Sequence, residues 1–170
     1  YEDTPGAQDN ASGTVVLLIL AELLAGYPGP LGVEILAFNG EDHYSAGGQM
    51  DYLHRHSSLF PSIMLAVNLD DLGFREAPSA FSFYNCPPDL EEKARQIFLR
   101  HPGLAPGEAW YQGDHMVFVQ QNIPAMAFAS SAMVEFMRTL AHTHTDTSDR
   151  VDVSKLVEVA EALNAFIRSL

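Results

Sequence analysis

The stretch Ile63-Met-Leu-Ala-Val-Asn-Leu-Asp70-Asp71-Leu-Gly73 decides the fold class, because a largely apolar run ends abruptly in two carboxylates. Continuous runs of this kind form buried strands in mostly parallel sheets. Such strands alternate with helices along this chain, which predicts a three-layer α/β sandwich with a mostly parallel, mixed central sheet. Open α/β sheets place their sites beyond the carboxyl ends of the strands. Asp70 is therefore a candidate site residue.

The remaining elements follow from periodicity and from turn residues. The pattern predicts strands over 33–38, 63–69, 80–84 and 125–129. It predicts helices over 12–27, 46–56, 89–100 and 114–121, and a last helix that Asp152 or Ser154 can cap. The first of these helices has almost no polar face, so we expect it to be buried. Residues 133–137 are predicted to form a loop that leads to His142.

Composition limits the classes of function. With 170 residues and 47% apolar content, the chain fits one domain over residues 1–170. A formal charge of −13 disfavours nucleic acid as a partner but suits metal cations and substrates with a free amine. The longest apolar stretch, over 14–24, is too short to span a membrane. Cys86 is the only cysteine, so no internal disulfide can form.

Four polar clusters lie next to apolar runs and carry the candidate chemistry. They contain Asp9, the pair Glu41-Asp42, Asp70, and His142 in His142-Thr-His-Thr-Asp-Thr147. An imidazole with two or three carboxylates is a usual ligand set for a catalytic zinc, which lowers the pKa of a bound water to about 7. A further carboxylate can serve as general base. Because Glu41 and Asp42 are adjacent in a turn, one can face the water and the other the metal.

These clusters resemble the zinc-dependent exopeptidase family of the bacterial di-zinc aminopeptidases, which also contains glutamate carboxypeptidase, glutaminyl cyclase and the catalytically silent transferrin receptor. The resemblance runs from Pro5 almost to the C-terminus and implies the phosphorylase/hydrolase-like fold. Six elements carry it in order: Gly6-Ala-Gln-Asp-Asn-Ala-Ser-Gly13, Glu41-Asp42, Asn68-Leu-Asp70, Asp114-His115 with Phe118, Asn122-Ile-Pro124, and His142-Thr with Asp146-Thr147.

The resemblance implies a role for each site residue. Asp9 would bridge two zinc ions, Asp42 and His142 would complete the ligands of one, and Asp70 would bind the other. Glu41 would be the general base, and Tyr111 or His115 would help to hold the oxyanion. The peptide bond between Asp9 and Asn10 is expected to be cis.

This chain departs from the family pattern at two points. The family has Glu-Glu where this chain has Glu41-Asp42, which shortens one ligand by a methylene group. The family's His-x-Asp element is not found within residues 1–8, and we expect it immediately upstream of Tyr1, together with one or more strands of the sheet. Zinc is therefore expected as one ion, or as two once that His is present.

Simpler interpretations remain for the same residues. Asp9 could cap the first helix, and Glu41, Asp42 and Asp70 could be ordinary turn acids. His142 could be a surface histidine. Three neighbours have simpler roles: Asp71 ends a strand, His144 is a bystander, and Asp146 caps backbone or orients its loop.

Three functions are compatible with the sequence. The first is an aminopeptidase that hydrolyses the peptide bond at a free N-terminus, with a zinc-bound water as nucleophile. The second is a glutaminyl-cyclase-like acyltransferase, and the third is a catalytically silent binding domain on the same fold. The number of zinc ions held by the full-length protein would separate the three.

Overall fold

The sheet has four strands whose spatial order differs from their order in sequence. They are β1 (Ala66–Leu69), β2 (Ser79–Tyr84), β3 (Leu104–Pro106) and β4 (Ala125–Ser130), arranged β1-β4-β2-β3. β1 runs parallel to β4, and β3 runs parallel to β2, while β2 and β4 are antiparallel. The structure, a computed structural model, describes residues 3–41 and 47–170. The predicted mixed, mostly parallel sheet is confirmed.

Helices cover both faces of this sheet. They are α1 (Gly13–Leu23), α2 (Gly47–His56), α3 (Pro88–Phe98), α4 (Met116–Val119), α5 (Met133–Thr139) and α6 (Val153–Ile167), with short 3-10 turns at Ser57–Ser62 and Ser148–Arg150. In the part of the chain that the structure describes, none of these helices has the length and apolar character needed to cross a bilayer. Ahead of α1, residues Ala7–Ser12 form a wide turn, here called the Asp9 turn, in which Asp9 and Asn10 leave helical geometry.

The two faces of β4 show why the domain has three layers. Met126 and Phe128 belong to the large core formed with α1, α3 and α6, whereas Ala125 and Ala127 face a second cluster on the other side. This alternation is the period of two that a strand imposes on its side chains. Phe98 packs edge-on against Phe128, with ring centroids 5.2 Å apart. Both faces of the central strand are therefore buried.

The helix and strand predictions are mostly confirmed. Two short elements were missed, and the burial of the first helix was predicted wrongly. Strands form close to 80–84 and 125–129, and Asp152 caps α6 by accepting the Ser154 N–H at 3.0 Å. β3 and α5 were not predicted, because each is short and lacks a clear period. The expectation that the first helix is buried all round is wrong: Leu18 is exposed on its outer face.

The predicted strand over 33–38 does not form within the described residues. Its side chains alternate as in a strand, since Leu36 and Phe38 pack against the Tyr52 cluster while Val33 and Ile35 are exposed. A strand also needs a hydrogen-bonded neighbour. An open groove of about 880 Å³, lined by residues 33–38 and by β1, separates this segment from β1. The alternation of side chains over 33–38 was predicted correctly, but this segment forms no hydrogen-bonded ladder with a described strand.

One histidine is an integral part of the packing beside the sheet. His115 is buried, with its ring between Tyr84 and Trp110 at centroid distances of 4.6 Å to each. Nε2 lies 3.1 Å from the Trp110 carbonyl, which can only accept, so Nε2 donates. Nδ1 then accepts from the Asn68 amide at 3.3 Å. Both nitrogens fit the neutral ring, and burial lowers the pKa of His115.

Replacing His115 with Gln should lower stability in a pH-dependent way. Above the unfolded-state pKa of about 6.5 the neutral ring contributes fully, and we expect a loss of about 1–3 kcal/mol in the free energy of unfolding. As the pH falls below 6.5, His115 becomes protonated in the unfolded chain but stays neutral in the folded one. The stability that His115 contributes therefore declines until the pH reaches its lower folded-state pKa. Urea unfolding at pH 7.5 and 5.0 should show the gap between variant and wild type narrowing. Exposed His54→Gln is the control, and a gap independent of pH would contradict this assignment.

Candidate metal centre

Two predicted metal ligands meet directly although they are far apart in sequence. Asp9 lies in the turn ahead of α1, and His142 lies in the loop after α5. The His142 Nε2 atom is 2.9 Å from Asp9 Oδ2, and the two side chains are 25% and 13% exposed. Both are thus partly shielded yet reachable from solvent. The contact places His142 beside the carboxylate with which it was predicted to share a metal ion.

The Asp9 carboxylate also lies close to two further carboxylates. One oxygen from each of Asp9, Asp70 and Asp71 lies within 4.8 Å of the others. Asp70 follows β1 directly, as expected for a site at the strand ends. Asp9 is therefore common to the contact with His142 and to the carboxylate cluster.

Asp71 is the member of this cluster that sequence analysis assigned to a turn. Successive side chains in a strand point to opposite sides, so Asp70 and Asp71 were not expected to converge. Asp71, however, has a positive φ of 51°, which ends the alternation, and its side chain is buried. The sequence offered one signal for this: Asp71 follows another acid and precedes Leu72-Gly73, where the chain turns sharply after the strand.

The donor set fits a divalent metal such as zinc. Imidazole nitrogen and carboxylate oxygen are both zinc ligands, bound at about 2.0–2.2 Å. One pair of donor atoms lies 2.9 Å apart, and the carboxylate oxygens lie within 4.8 Å of one another, so small movements of these side chains would let them share bound metal. Three carboxylates this close repel one another, and a cation between them relieves that repulsion. Asp42, the other predicted ligand, lies outside the described residues.

The Asp9 turn is fixed on one side by the loop that follows β1. The Asn10 amide donates to the Leu69 carbonyl at 2.8 Å, and Gln8 Nε2 donates to the Asp71 carbonyl at 3.3 Å. A Cβ at Gly13 would lie 2.3 Å from the Leu69 carbonyl oxygen, so only glycine permits this close approach. The turn and the end of β1 are thus held in contact.

On the opposite side, the same turn is fixed by the His142 loop. Asp146 accepts the Gln8 N–H at 2.8 Å and the Asp9 N–H at 3.1 Å, one on each carboxylate oxygen. The expectation that Asp146 caps local backbone or orients a loop agrees with these bonds, although the backbone is distant in sequence. His144, the predicted bystander, is exposed.

The alternative in which Asp9 merely caps the first helix is not what the structure shows. The first N–H of α1, from Gly13, is accepted by Asn10 Oδ1 at 3.0 Å. The Asp9 carboxylate instead contacts His142. The Asp9–Asn10 peptide bond is cis, as expected.

The three predicted catalytic residues have different surroundings. Glu41 is half-buried and follows the segment over 33–40 at a turn. Tyr111 is 71% exposed, and its ring meets Tyr84 edge-on with centroids 6.0 Å apart. His115 is buried with both ring nitrogens hydrogen-bonded. Of the two oxyanion candidates, Tyr111 is the one whose polar group a substrate can reach.

A short apolar helix precedes His142 where a loop was predicted. α5 packs Phe136 into the interior and leaves Val134 and Met137 exposed. Exposed apolar side chains so close in sequence to His142 are suited to contact a bound ligand. The predicted loop over 133–137 is therefore wrong, since most of this segment is helical.

Comparison with known proteins agrees with this geometry. The chain is 26% identical over 192 residues to the uncharacterized protein YfbL of Escherichia coli (strain K12), covering 94% of this chain and 58% of YfbL. It is 24% identical over 177 residues to a probable leucine aminopeptidase of Arthroderma benhamiae, covering 99% of this chain and 49% of that protein. The chain therefore spans about half the length of the curated relatives it matches.

A solved structure has the same fold. The aminopeptidase from Aneurinibacillus sp. strain AM-1 superposes with a TM-score of 0.79 at 23% identity, covering 98% of this chain and 40% of that one. The sequence profile of Peptidase family M28 matches residues 1–167, almost the whole chain. The zinc-exopeptidase resemblance is thereby confirmed, and the chain belongs to Peptidase family M28.

Proposed function

We propose that this chain forms the metal centre of a zinc-dependent aminopeptidase, which hydrolyses the first peptide bond of a peptide with a free N-terminus. The observation that supports it most is the Asp9 carboxylate, which contacts His142 and clusters with Asp70 and Asp71. Membership of a peptidase family and the likeness to aminopeptidases support the same activity.

In this proposal the ligands divide into two sets that share Asp9. Asp42 and His142 would hold one zinc with Asp9, and Asp70 would hold a second with Asp9. Bound zinc supplies a Lewis acid that polarises the scissile carbonyl and acidifies water. The cluster of carboxylates gives this part of the site a negative field, which also favours the ammonium group of a free N-terminus.

The remaining steps fall to side chains that bind no metal. Glu41 accepts a proton from the attacking water and passes it to the leaving amine, which requires a carboxylate not bound to metal. The Tyr111 hydroxyl donates a hydrogen bond to the oxyanion of the tetrahedral intermediate. Val134 and Met137 offer an apolar surface, which suits an apolar N-terminal residue such as leucine.

The first test separates the base from the ligands. Glu41→Gln in the full-length protein should lower kcat for leucine amide by roughly 10²–10⁴-fold, because it removes the proton acceptor. Zinc content measured by mass spectrometry should remain that of the wild type. Glu22→Gln, on the exposed face of α1, is the matched control. Near-normal turnover by Glu41→Gln would exclude Glu41 as the base.

The second test concerns the metal itself. Removing zinc with a chelator should abolish hydrolysis and lower the melting temperature, and adding zinc at about 100 times its Kd should restore about 2.7 kcal/mol of stability. Asp9→Ala should lose both the hydrolysis and the zinc-dependent stabilisation. Activity that survives complete zinc removal would contradict a metal-dependent peptidase.

The third test addresses the oxyanion. Tyr111→Phe should lower kcat by about 10²–10³-fold and leave KM nearly unchanged, since the hydroxyl acts only as charge develops. Tyr27→Phe, whose hydroxyl bonds the distant Ile167 carbonyl, is the matched control. An equal and small effect of both variants would remove Tyr111 from the mechanism.

A further inference from the structure

We propose that Asp146 is a positioning residue of the metal centre, which places the Asp9 carboxylate for metal binding by fixing the backbone of the Asp9 turn. This inference rests on the proposed function, because it assigns a role to Asp146 only through the metal ligand Asp9.

The surroundings of Asp146 are those of a group with a fixed task. Its side chain is 0% exposed, and its two carboxylate oxygens accept the Gln8 and Asp9 N–H groups at 2.8 and 3.1 Å. The Asp146 carbonyl accepts a third N–H, from Ala7, at 3.2 Å. Burying a carboxylate is costly unless hydrogen bonds replace its water. Here one residue satisfies three consecutive backbone donors.

The acceptor pattern requires a carboxylate in particular. Each oxygen of Asp146 receives one N–H, so both positions must accept. An asparagine of the same shape would present an amino group to one of the two N–H groups. Asp146 is also absent from the described carboxylate cluster around Asp9, so its effect on the metal is indirect.

The loop that carries Asp146 is the loop that carries His142. Thr143 Oγ1 donates to the Leu140 carbonyl at 2.7 Å and accepts the Thr145 N–H at 3.2 Å. These bonds stabilise the part of the loop that lies between His142 and Asp146. One loop thus supplies a ligand directly through His142 and sets the position of another through Asp146. A shift of the Asp9 backbone would move its carboxylate relative to His142, with which it is now in contact at 2.9 Å.

The experiment measures zinc affinity instead of activity. Asp146→Asn in the full-length protein should weaken zinc binding by about 10–100-fold in calorimetric titration, the usual effect of losing a partner that orients a ligand. Asp149→Asn, the same substitution at an exposed position of the same segment, is the charge control. Asp152→Ala removes the cap of α6 and is the stability control, with a lower melting temperature and zinc affinity unchanged.

The outcomes distinguish this inference from the proposed function. If the wild type binds no zinc, the proposed function is wrong, and the positioning role that depends on it is overturned with it. If the wild type binds zinc and Asp146→Asn binds it equally well, the positioning role is wrong. Should Asp146→Asn not fold, Asp146→Ser leaves room for water beside both N–H groups and should show the same loss of affinity. If neither variant folds, Asp146 serves the fold as a whole and the inference is overturned.

Discussion

The structure around the candidate site depends on the fixation of the Asp9 turn between two loops that are distant in sequence. Asn10 ties the turn to Leu69 at the end of β1, and Asp146 ties it to the His142 loop. The bond from Asn10 holds the turn beside Asp70 and Asp71, whose carboxylates repel that of Asp9. The hydrogen bonds therefore oppose the electrostatic cost of assembling a negative site, and a bound cation would remove that cost.

The sheet explains why such distant segments meet at all. β1 and β4 are parallel neighbours, so the segment after Leu69 and the segment after Ser130 leave the sheet at the same edge. The first leads into Asp70 and the second into α5 and His142. α1 brings the Asp9 turn to that edge because Gly13 allows its start to touch the Leu69 carbonyl. Backbone packing thus brings the three segments to one place, and the side-chain hydrogen bonds of Asn10 and Asp146 then fix them there.

Much of this arrangement could be predicted from sequence, and the exceptions have physical causes. Asp9, Asp70 and His142 were predicted to lie at one site because ligand types at strand ends and helix starts form a recognisable pattern, and the structure brings Asp9 close to each of the other two. Asp71 was missed because its positive φ cannot be deduced from strand alternation. The segment over 33–38 has the side-chain pattern of a strand, but pairing depends on a neighbour that its own residues do not specify. α5 was too short to show a helical period.

The two parts of the site differ in how they are supported. The ligand side is held by buried hydrogen bonds from Asp146, Asn10 and Gln8. Glu41 instead follows a segment that contacts α2: the Phe38 and Tyr52 rings lie 5.4 Å apart, Tyr52 donates to Glu34 at 3.0 Å, and the Gly48 N–H donates to the Asn39 carbonyl at 2.9 Å. In the proposed mechanism a metal centre needs fixed donors, and the base must stand beside it without binding metal. The elements that support the two tasks would therefore be separate, with α2 on the side of Glu41 and the loops after β1 and α5 on the side of Asp9.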